Sequence, residues 1–334
     1  MRVTPEYWYG AQRGLFYYLS LPISWLFCVV VWLRCRLYQT GLLRSVKLAA
    51  PVIVVGNITA GGTGKTPLII WMANFLKQQG YQPGIVSRGY GGNAKTWPQQ
   101  VRADSDYVAV GDEAVMIAAR TECPMAVGPK RAAVAQLLLQ HNDVDVILSD
   151  DGLQHYAMHR DIEVAVIDGQ RRFGNGQCLP AGPLRERPAR LETVDMIVVN
   201  GEGERHEHPM SVSNQFAVNM LKGDTRALEE FTKGRVHAVA GVGNPERFFT
   251  GLIAAGLDIE THEFPDHYQY QRDDVVFDDG LPVLMTEKDA VKCVRFSTPD
   301  FWCVPVHVEL GNAFGQRLLM LLDKCKTADT PGER

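Results

Sequence analysis

Apolar residues run without a single charged side chain from position 14 to position 33, GLFYYLSLPISWLFCVVVWL. As a helix this stretch extends roughly 30 Å at ~1.5 Å per residue, about the hydrocarbon thickness of a bilayer. Tyr17, Tyr18, Trp25 and Trp32 supply amphipathic rings, and Arg34 and Arg36 follow at once. Arg44 and Lys47 lie beyond them, against Arg2 and Arg13 upstream. That cation balance places the C-terminal side, and so most of the chain, in the cytoplasm. A cleaved signal peptide does not fit, because arginines stand where the small residues of a cleavage site belong. The segment predicts membrane association, either spanning the bilayer or embedded from one face. A buried core helix is the competing reading, and Pro22 would kink or divide a spanning helix.

Beyond residue 48 the pattern changes to short apolar, β-branched runs separated by helix-length intervals. PVIVV (51–55), PGIVS (83–87), VDVILSD (144–150), IEVAVID (162–168) and DMIVVN (195–200) read as strands. TPLIIWMANFLKQQG (66–80) reads as a helix, with Pro67 in its first turn and Gly80 placed for a C-cap. Near-continuous apolar strands between helices predict an α/β fold of P-loop NTPase type, a mostly parallel sheet with helices on both faces. The polar stretch GEGERHEHPMSVSN (201–214) marks the expected edge of this first domain. VHAVAG (236–241), PVLMT (282–286) and FWCVPVHV (301–308) predict a smaller second α/β unit. The expected organisation is a membrane helix and basic connector over 1–48, a nucleotide-binding domain over 49–215, a connecting strand over 216–222 and the smaller domain over 223–334. The last residues, TADTPGER, read as a frayed tail.

Composition narrows the class without naming it. A chain of 334 residues, 46% hydrophobic and 22% charged, is long enough for one large domain or two, each with its own core. The formal net charge of -4 gives no reason to expect nucleic acid. Seven cysteines are scattered and nowhere spaced as C-x-x-C, which argues against a zinc module or a disulfide framework.

The run GNITAGGTGKTP (56–67) carries the first chemistry. A strand, a glycine-rich turn and a helix start form an anion cradle, in which backbone N–H groups and the helix dipole face phosphate. The expected nucleotide-binding residues are Thr59, Ala60, Gly61, Gly62, Thr63, Gly64, Lys65 and Thr66. Lys65 would reach the β- and γ-phosphates of ATP, and the Thr66 hydroxyl would take a place on Mg²⁺. Against G-x-x-x-x-G-K-[ST], only the first glycine fails, at Thr59.

Such a loop needs an acid for its metal, and ILSDDGLQH ends a strand in Asp150 and Asp151 where open α/β sheets bind ligands. A plain DDG turn is the structural alternative. Asp112, in GDEAVMIA, opens a helical pattern and is either its N-cap or a base for an attacking hydroxyl. His155 follows the acid pair, and His267 stands in the polar-aromatic loop EFPDHYQY. Arg88 in SRGYGG is placed to face phosphate. Lys130 and Arg131 sit at a helix start, where cations oppose the dipole, so that an anionic ligand or a solvated corner is expected. LPAGPLRERPARL (179–191) holds Glu186 between two arginines, a charged loop or a substrate or metal element. The triplet His159-Arg160-Asp161 copies a protein-kinase motif but lacks its asparagine, the position being Val166, and carries no weight.

Together these runs resemble the tetraacyldisaccharide 4'-kinases of lipid A synthesis. The resemblance rests on VVGNITAGGTGKTP, SRGYGG, VGDEAVM, ILSDDGLQH, LPAGPLRE, AGVGNPERFF, FPDHYQY and LMTEKDAVK, in this order along nearly the whole chain. It implies an enzyme at the cytoplasmic face of the bacterial inner membrane that passes the γ-phosphoryl group of ATP to the 4'-hydroxyl of a tetraacylated glucosamine disaccharide 1-phosphate. It implies Mg²⁺, membrane lipid as surroundings, and an active site between two domains. By motif match, Asp112 is the catalytic carboxylate, assisted by His267, and Asp150, Asp151 and Glu186 serve the metal, with His155 nearby. The rival class is a membrane-recruited ATPase with a regulatory or targeting role. Its loop carries a second lysine where this chain has Ala60.

Overall fold

The computed structural model describes residues 5–10 and 13–329. Arg2 and residues 330–334 of the expected tail lie outside them. Helix α1 (Leu15–Gln39) is continuous through Pro22. One side of it docks: Tyr17, Ser20 and Ser24 are buried, and the Ser24 hydroxyl donates to the Cys178 carbonyl at 2.7 Å. Phe27 and Cys28 pack against Ile58, Cys178 and Leu184, and Tyr38 stacks on Tyr156. The other side, with Phe16, Leu19, Trp25, Leu26 and Val30, is exposed. Only 17% of its most apolar window is buried. That share is too small for a core helix.

The larger unit follows in the order β1 (Val52–Gly56), α2 (Lys65–Gln78), β2 (Pro83–Ser87), β3 (Gln99–Val101), α3 (Tyr107–Val110) and α4 (Asp112–Thr121). It continues with β4 (Met125–Val127), α5 (Arg131–His141), β5 (Val146–Ser149), β6 (Ile162–Asp168), β7 (Met196–Asn200) and β8 (His208–Ser213). The smaller unit supplies β9 (Phe216–Asn219), β10 (Thr225–Ala227), β11 (Arg235–Ala240), α6 (Pro245–Ala254), β12 (Asp258–Glu263) and α7 (Arg272–Val275). Then come β13 (Val283–Thr286), α8 (Glu287–Cys293) and β14 (Phe301–Val304), followed by β15 (His307–Leu310) and α9 (Asn312–Asp329).

Among the described residues the larger sheet has nine strands, ordered β15-β8-β7-β6-β1-β5-β2-β4-β3. Every neighbouring pair from β8 to β4 is parallel, and antiparallel β15 and β3 form the edges. The central strands read VIVV and VILS because both faces are covered. On one face Leu68, Ile117, Phe314 and Leu318 of α2, α4 and α9 share a core with Ile53, Val55 and Leu148. On the other, Val134 and Leu138 of α5 join Val52, Val54 and Ile147. The smaller sheet runs β10-β9-β14-β13-β11-β12. Phe248 and Leu252 of α6 cover one of its faces, and Ala290 and Cys293 of α8 the other.

The polar stretch 201–214, the expected edge of the first domain, contains β8 of the larger sheet. Two boundaries differ from the sequence reading. The run at 216–221 is no free connector, because β9 pairs with both β10 and β14. The apparent single strand 301–308 breaks at Pro305, which has no N–H for a ladder. Its first half is β14 of the smaller sheet and its second half is β15 of the larger. Residues 307–329 therefore belong with the larger unit rather than with 223–334. The apolar stripe Phe314, Leu318, Leu322 of α9 closes over the core of α2 and α4. Leu318→Ala is expected to cost about 2–5 kcal/mol, read from the denaturant midpoint; a cost below about 0.5 kcal/mol, the surface range, would remove α9 from the core.

Candidate active site

The loop after β1 is shaped from two sides. Thr59 forms an antiparallel bridge to Leu184, the Ala60 N–H donates to the Pro183 carbonyl, and the Arg185 N–H donates to the Ile58 carbonyl, both at 2.7 Å. The entry half of the loop is thus an extended strand laid on the LPAGPLRE run. Extended backbone suits a β-branched residue, so Thr59 replaces glycine without strain. The turn itself needs glycine: φ is 105° at Gly61 and 96° at Gly64. A Cβ on Gly64 would stand 2.9 Å from Asn200 Nδ2. Asn57, fully buried, donates to Thr63 Oγ1 at 3.2 Å across the loop. Gly61 and Gly62 stay exposed at its tip.

Strand β5, adjacent to β1, delivers Asp150 and Asp151 beside this loop. Lys65 Nζ lies 3.6 Å from Asp151 Oδ1, and Arg185 Nη1 donates to both oxygens of Asp151 at 2.9 and 3.0 Å. Burial would raise the Asp151 pKa, but Lys65 and then Arg185 hold it below the usual value. The Asp151 backbone is left-handed, at φ 45°, a conformation that costs a non-glycine residue of order 1–3 kcal/mol and collects at functional sites. Asp150 is opposite in character. It is buried, accepts from the Ser87 hydroxyl at 3.1 Å through Oδ2, and leaves Oδ1 without a partner. Burial, then Asp151 and Glu113, push its pKa up to about 6. An orphaned buried carboxylate oxygen next to a phosphate loop has the donor chemistry that Mg²⁺ takes, so the residues fit that ion.

The other half of the site lies where the smaller unit meets the larger. Asp112 is the first residue of α4, with Gly111 in the cap position. Gly111 has φ 96°, and a Cβ there would stand 2.4 Å from the Tyr90 carbonyl oxygen. This close approach lets SRGYGG fold over the helix start. Asp112 is 4% exposed. Its Oδ1 accepts from the Glu113 N–H, and its Oδ2 lies 3.0 Å from His267 Nδ1. Burial alone would raise the Asp112 pKa, but the His267 hydrogen bond, then Lys288, keep it lowered. The same hydrogen bond is the main reason His267 is raised, against burial and Lys288. His267 also has a left-handed backbone, φ 60°, and its ring tilts against Tyr90 at 5.5 Å.

The family model described as tetraacyldisaccharide-1-P 4'-kinase matches residues 16–323. The chain belongs to that family. A tetraacyldisaccharide 4'-kinase of Nitrosococcus oceani is 54% identical over 96% of this chain and 94% of its own length. One from Methylobacillus flagellatus is 45% identical over 95% of each. The solved LpxK from Aquifex aeolicus, in complex with ATP, superposes with a TM-score of 0.81, at 25% identity over 92% of this chain and all of that one.

In this member of the kinase family, three of the expected residues have surroundings of their own. Glu186 is buried, with Oε1 accepting from Gln154 Nε2 at 2.8 Å and Oε2 from the Tyr156 hydroxyl at 2.6 Å. Arg190 Nε lies 3.6 Å away. Since Gln154 also donates to the Asn57 carbonyl, Glu186 braces the loop from below. Arg88 is exposed beyond β2. His155 sits among cations: burial, then Arg131, Arg160, Arg34 and Arg88, lower its pKa to about 4, and so keep it neutral.

Other groups were not singled out from the sequence. Lys288 Nζ reaches Glu113 Oε1 at 3.2 Å and Asp266 Oδ1 at 2.9 Å, joining the two units beside Asp112. It occupies the first turn of α8 after the N-cap Thr286, the same dipole-opposing position that drew notice to Lys130 and Arg131. Arg131 itself is buried and donates to the backbone carbonyls of Asp150 and Asp151. Arg185 and Ser87, which bind the two acids, carried no signal beyond their neighbours in sequence. The geometry sets an expectation for His267: followed by NMR, it should titrate above the ordinary ~6.5 in the intact protein and at or below it in Asp112→Asn. An unchanged value would mean the two side chains do not pair in solution.

Proposed function

We propose that this chain transfers the γ-phosphoryl group of ATP to the 4'-hydroxyl of a tetraacylated glucosamine disaccharide 1-phosphate, with Asp112 taking the hydroxyl proton. The observation that carries this reading is the pairing of buried Asp112 with half-buried His267, closed from two units. Glu113, the next residue, is near enough to Asp150 to help raise its pKa, which ties the pair to the acids. Asp112 is held ionised, as a base must be, and His267 fixes its Oδ2 by the 3.0 Å contact. Lys65, resting against Asp151, has the charge and position to turn to the β- and γ-phosphates. Thr66 and Asp150 would hold Mg²⁺, which when bound offsets charge on the transferring group. Asp151, clamped by Arg185, keeps Lys65 oriented. A regulatory ATPase would have no use for a carboxylate held in this way.

The acceptor's membrane origin fits α1. The helix touches the larger unit through Ser24 in its middle and Tyr38 near its end, while Tyr17 packs on Tyr7, whose carbonyl accepts from Asn175. A helix held along its length lies against the domain, with its bare face in the lipid, rather than standing alone across the bilayer. A cavity of about 610 Å³ opens between Cys28, Trp32 and Arg36 of α1 and the segment 185–193. Arg185, the partner of Asp151, is part of its lining. Because ATP is cytoplasmic, the catalytic units lie on the cytoplasmic face of the inner membrane.

Labelled ATP, Mg²⁺ and a diacylglucosamine disaccharide 1-phosphate should give labelled lipid, whereas label released only as free phosphate would favour the ATPase. Asp112→Asn is expected to lower kcat by about 10²-fold or more with ATP binding retained. Equal loss of both would make Asp112 a structural group. The combined substitution Leu19→Glu, Leu26→Glu, Val30→Glu on the bare face of α1 should abolish sedimentation with lipid vesicles while the fold persists. Sedimentation unchanged from that of the unaltered protein would place the membrane contact elsewhere.

A further inference from the structure

A second cluster of polar side chains lies on the smaller sheet. His237 of β11 stands in register with Glu260 of β12, and His262 is two residues further along the same face. One ligand atom from each of the three falls within 4.8 Å of the others. His237 Nε2 lies 2.9 Å from Asp279 Oδ2. A carboxylate only accepts, so Nε2 carries the proton and Nδ1 of the neutral ring is a lone pair. That lone pair points at His262 Nε2, 2.9 Å away. Phe277 stacks on both imidazoles, at 3.9 and 4.4 Å between ring centroids, and fixes their planes.

We propose that His237 Nδ1, His262 Nε2 and a Glu260 carboxylate oxygen form a binding site for a divalent transition cation of the Zn²⁺ class, with Asp279 orienting His237. Two imidazoles and one carboxylate suit such an ion, and a carboxylate behind a ligating histidine is its usual support. Ring nitrogens bound to one tetrahedral ion at ~2.0–2.1 Å stand about 3.3 Å apart, so the pair needs to open by only a few tenths of an ångström. Glu260, exposed and 3.4 Å from Arg235 Nη1, closes the third position by turning away from that guanidinium. Glu260 and Asp279 together balance the charge of the ion. The fourth position faces the solvent side, where Glu260 sits, and takes water. The ion would tie the edge strand β12 to β11 five residues before His267.

Co²⁺ added to the intact, ATP-free protein tests this by visible absorption and calorimetry. The expected result is one site with tetrahedral d–d bands, displaced by Zn²⁺ and lost in His262→Ala. Asp279→Asn should weaken it by about 10–100-fold, the scale of an orienting carboxylate. Because the acid pair of the active site could also take Co²⁺, the comparison is repeated in Asp150→Asn, where the bands should persist. Binding that is equal in the intact protein and His262→Ala would overturn the proposal, as would bands that vanish with Asp150→Asn alone.

Discussion

The 3.0 Å contact between Asp112 and His267 joins residues 155 positions apart, and it exists only while the two units are held face to face. Helices α4 and α8 supply that contact surface. Arg120 pairs with Glu287, whose other oxygen accepts from the Val306 N–H at 2.8 Å, while Lys288 crosses to Glu113. Glu287 is buried, and a buried charge that loses its partner is strongly destabilised. The interface therefore favours one register. In that register the carboxylate at the start of α4 meets an imidazole that favours its ionised form. The pair is as much a product of domain docking as of its own chemistry.

The loop shows a similar dependence on a distant segment. Residues 58–60 are an extended strand only because 183–185 lie alongside them, and that run is braced through Glu186, Gln154 and Tyr156. Phosphate-loop curvature is thereby confined to Gly61 and Gly64. The left-handed backbones at Asp151 and His267 lie on either side of the same site, where strain is tolerated because several contacts fix each residue.

Much of this could be read in the sequence, for identifiable reasons. The central strands announced themselves because burial on both faces leaves only apolar residues. The phosphate loop and the acid pair were visible because each is local, a strand end followed by a turn. Read residue by residue, Asp112 and His267 are separate candidates that only the family resemblance joins, because their pairing depends on how two units dock and leaves no periodic signal. The bracing contacts of Glu186 leave no local signal either, since its partners Gln154 and Tyr156 lie thirty or more residues away in an irregular loop. The strand at 301–308 misled because its composition is uniform across Pro305, and only pairing partners distinguish β14 from β15.

The return of β15 and α9 to the larger sheet makes residues 216–304 an insert anchored at both ends. A domain on one tether explores a wide volume, whereas one on two neighbouring tethers is confined to rotation about them. Asn214-Gln215 and Pro305-Val306 are the two tethers here. The local concentration of His267 around Asp112 thus stays high even when the hydrogen bond opens. Any relative movement of the insert is then limited to rotation about the two tethers, which keeps the imidazole near its carboxylate.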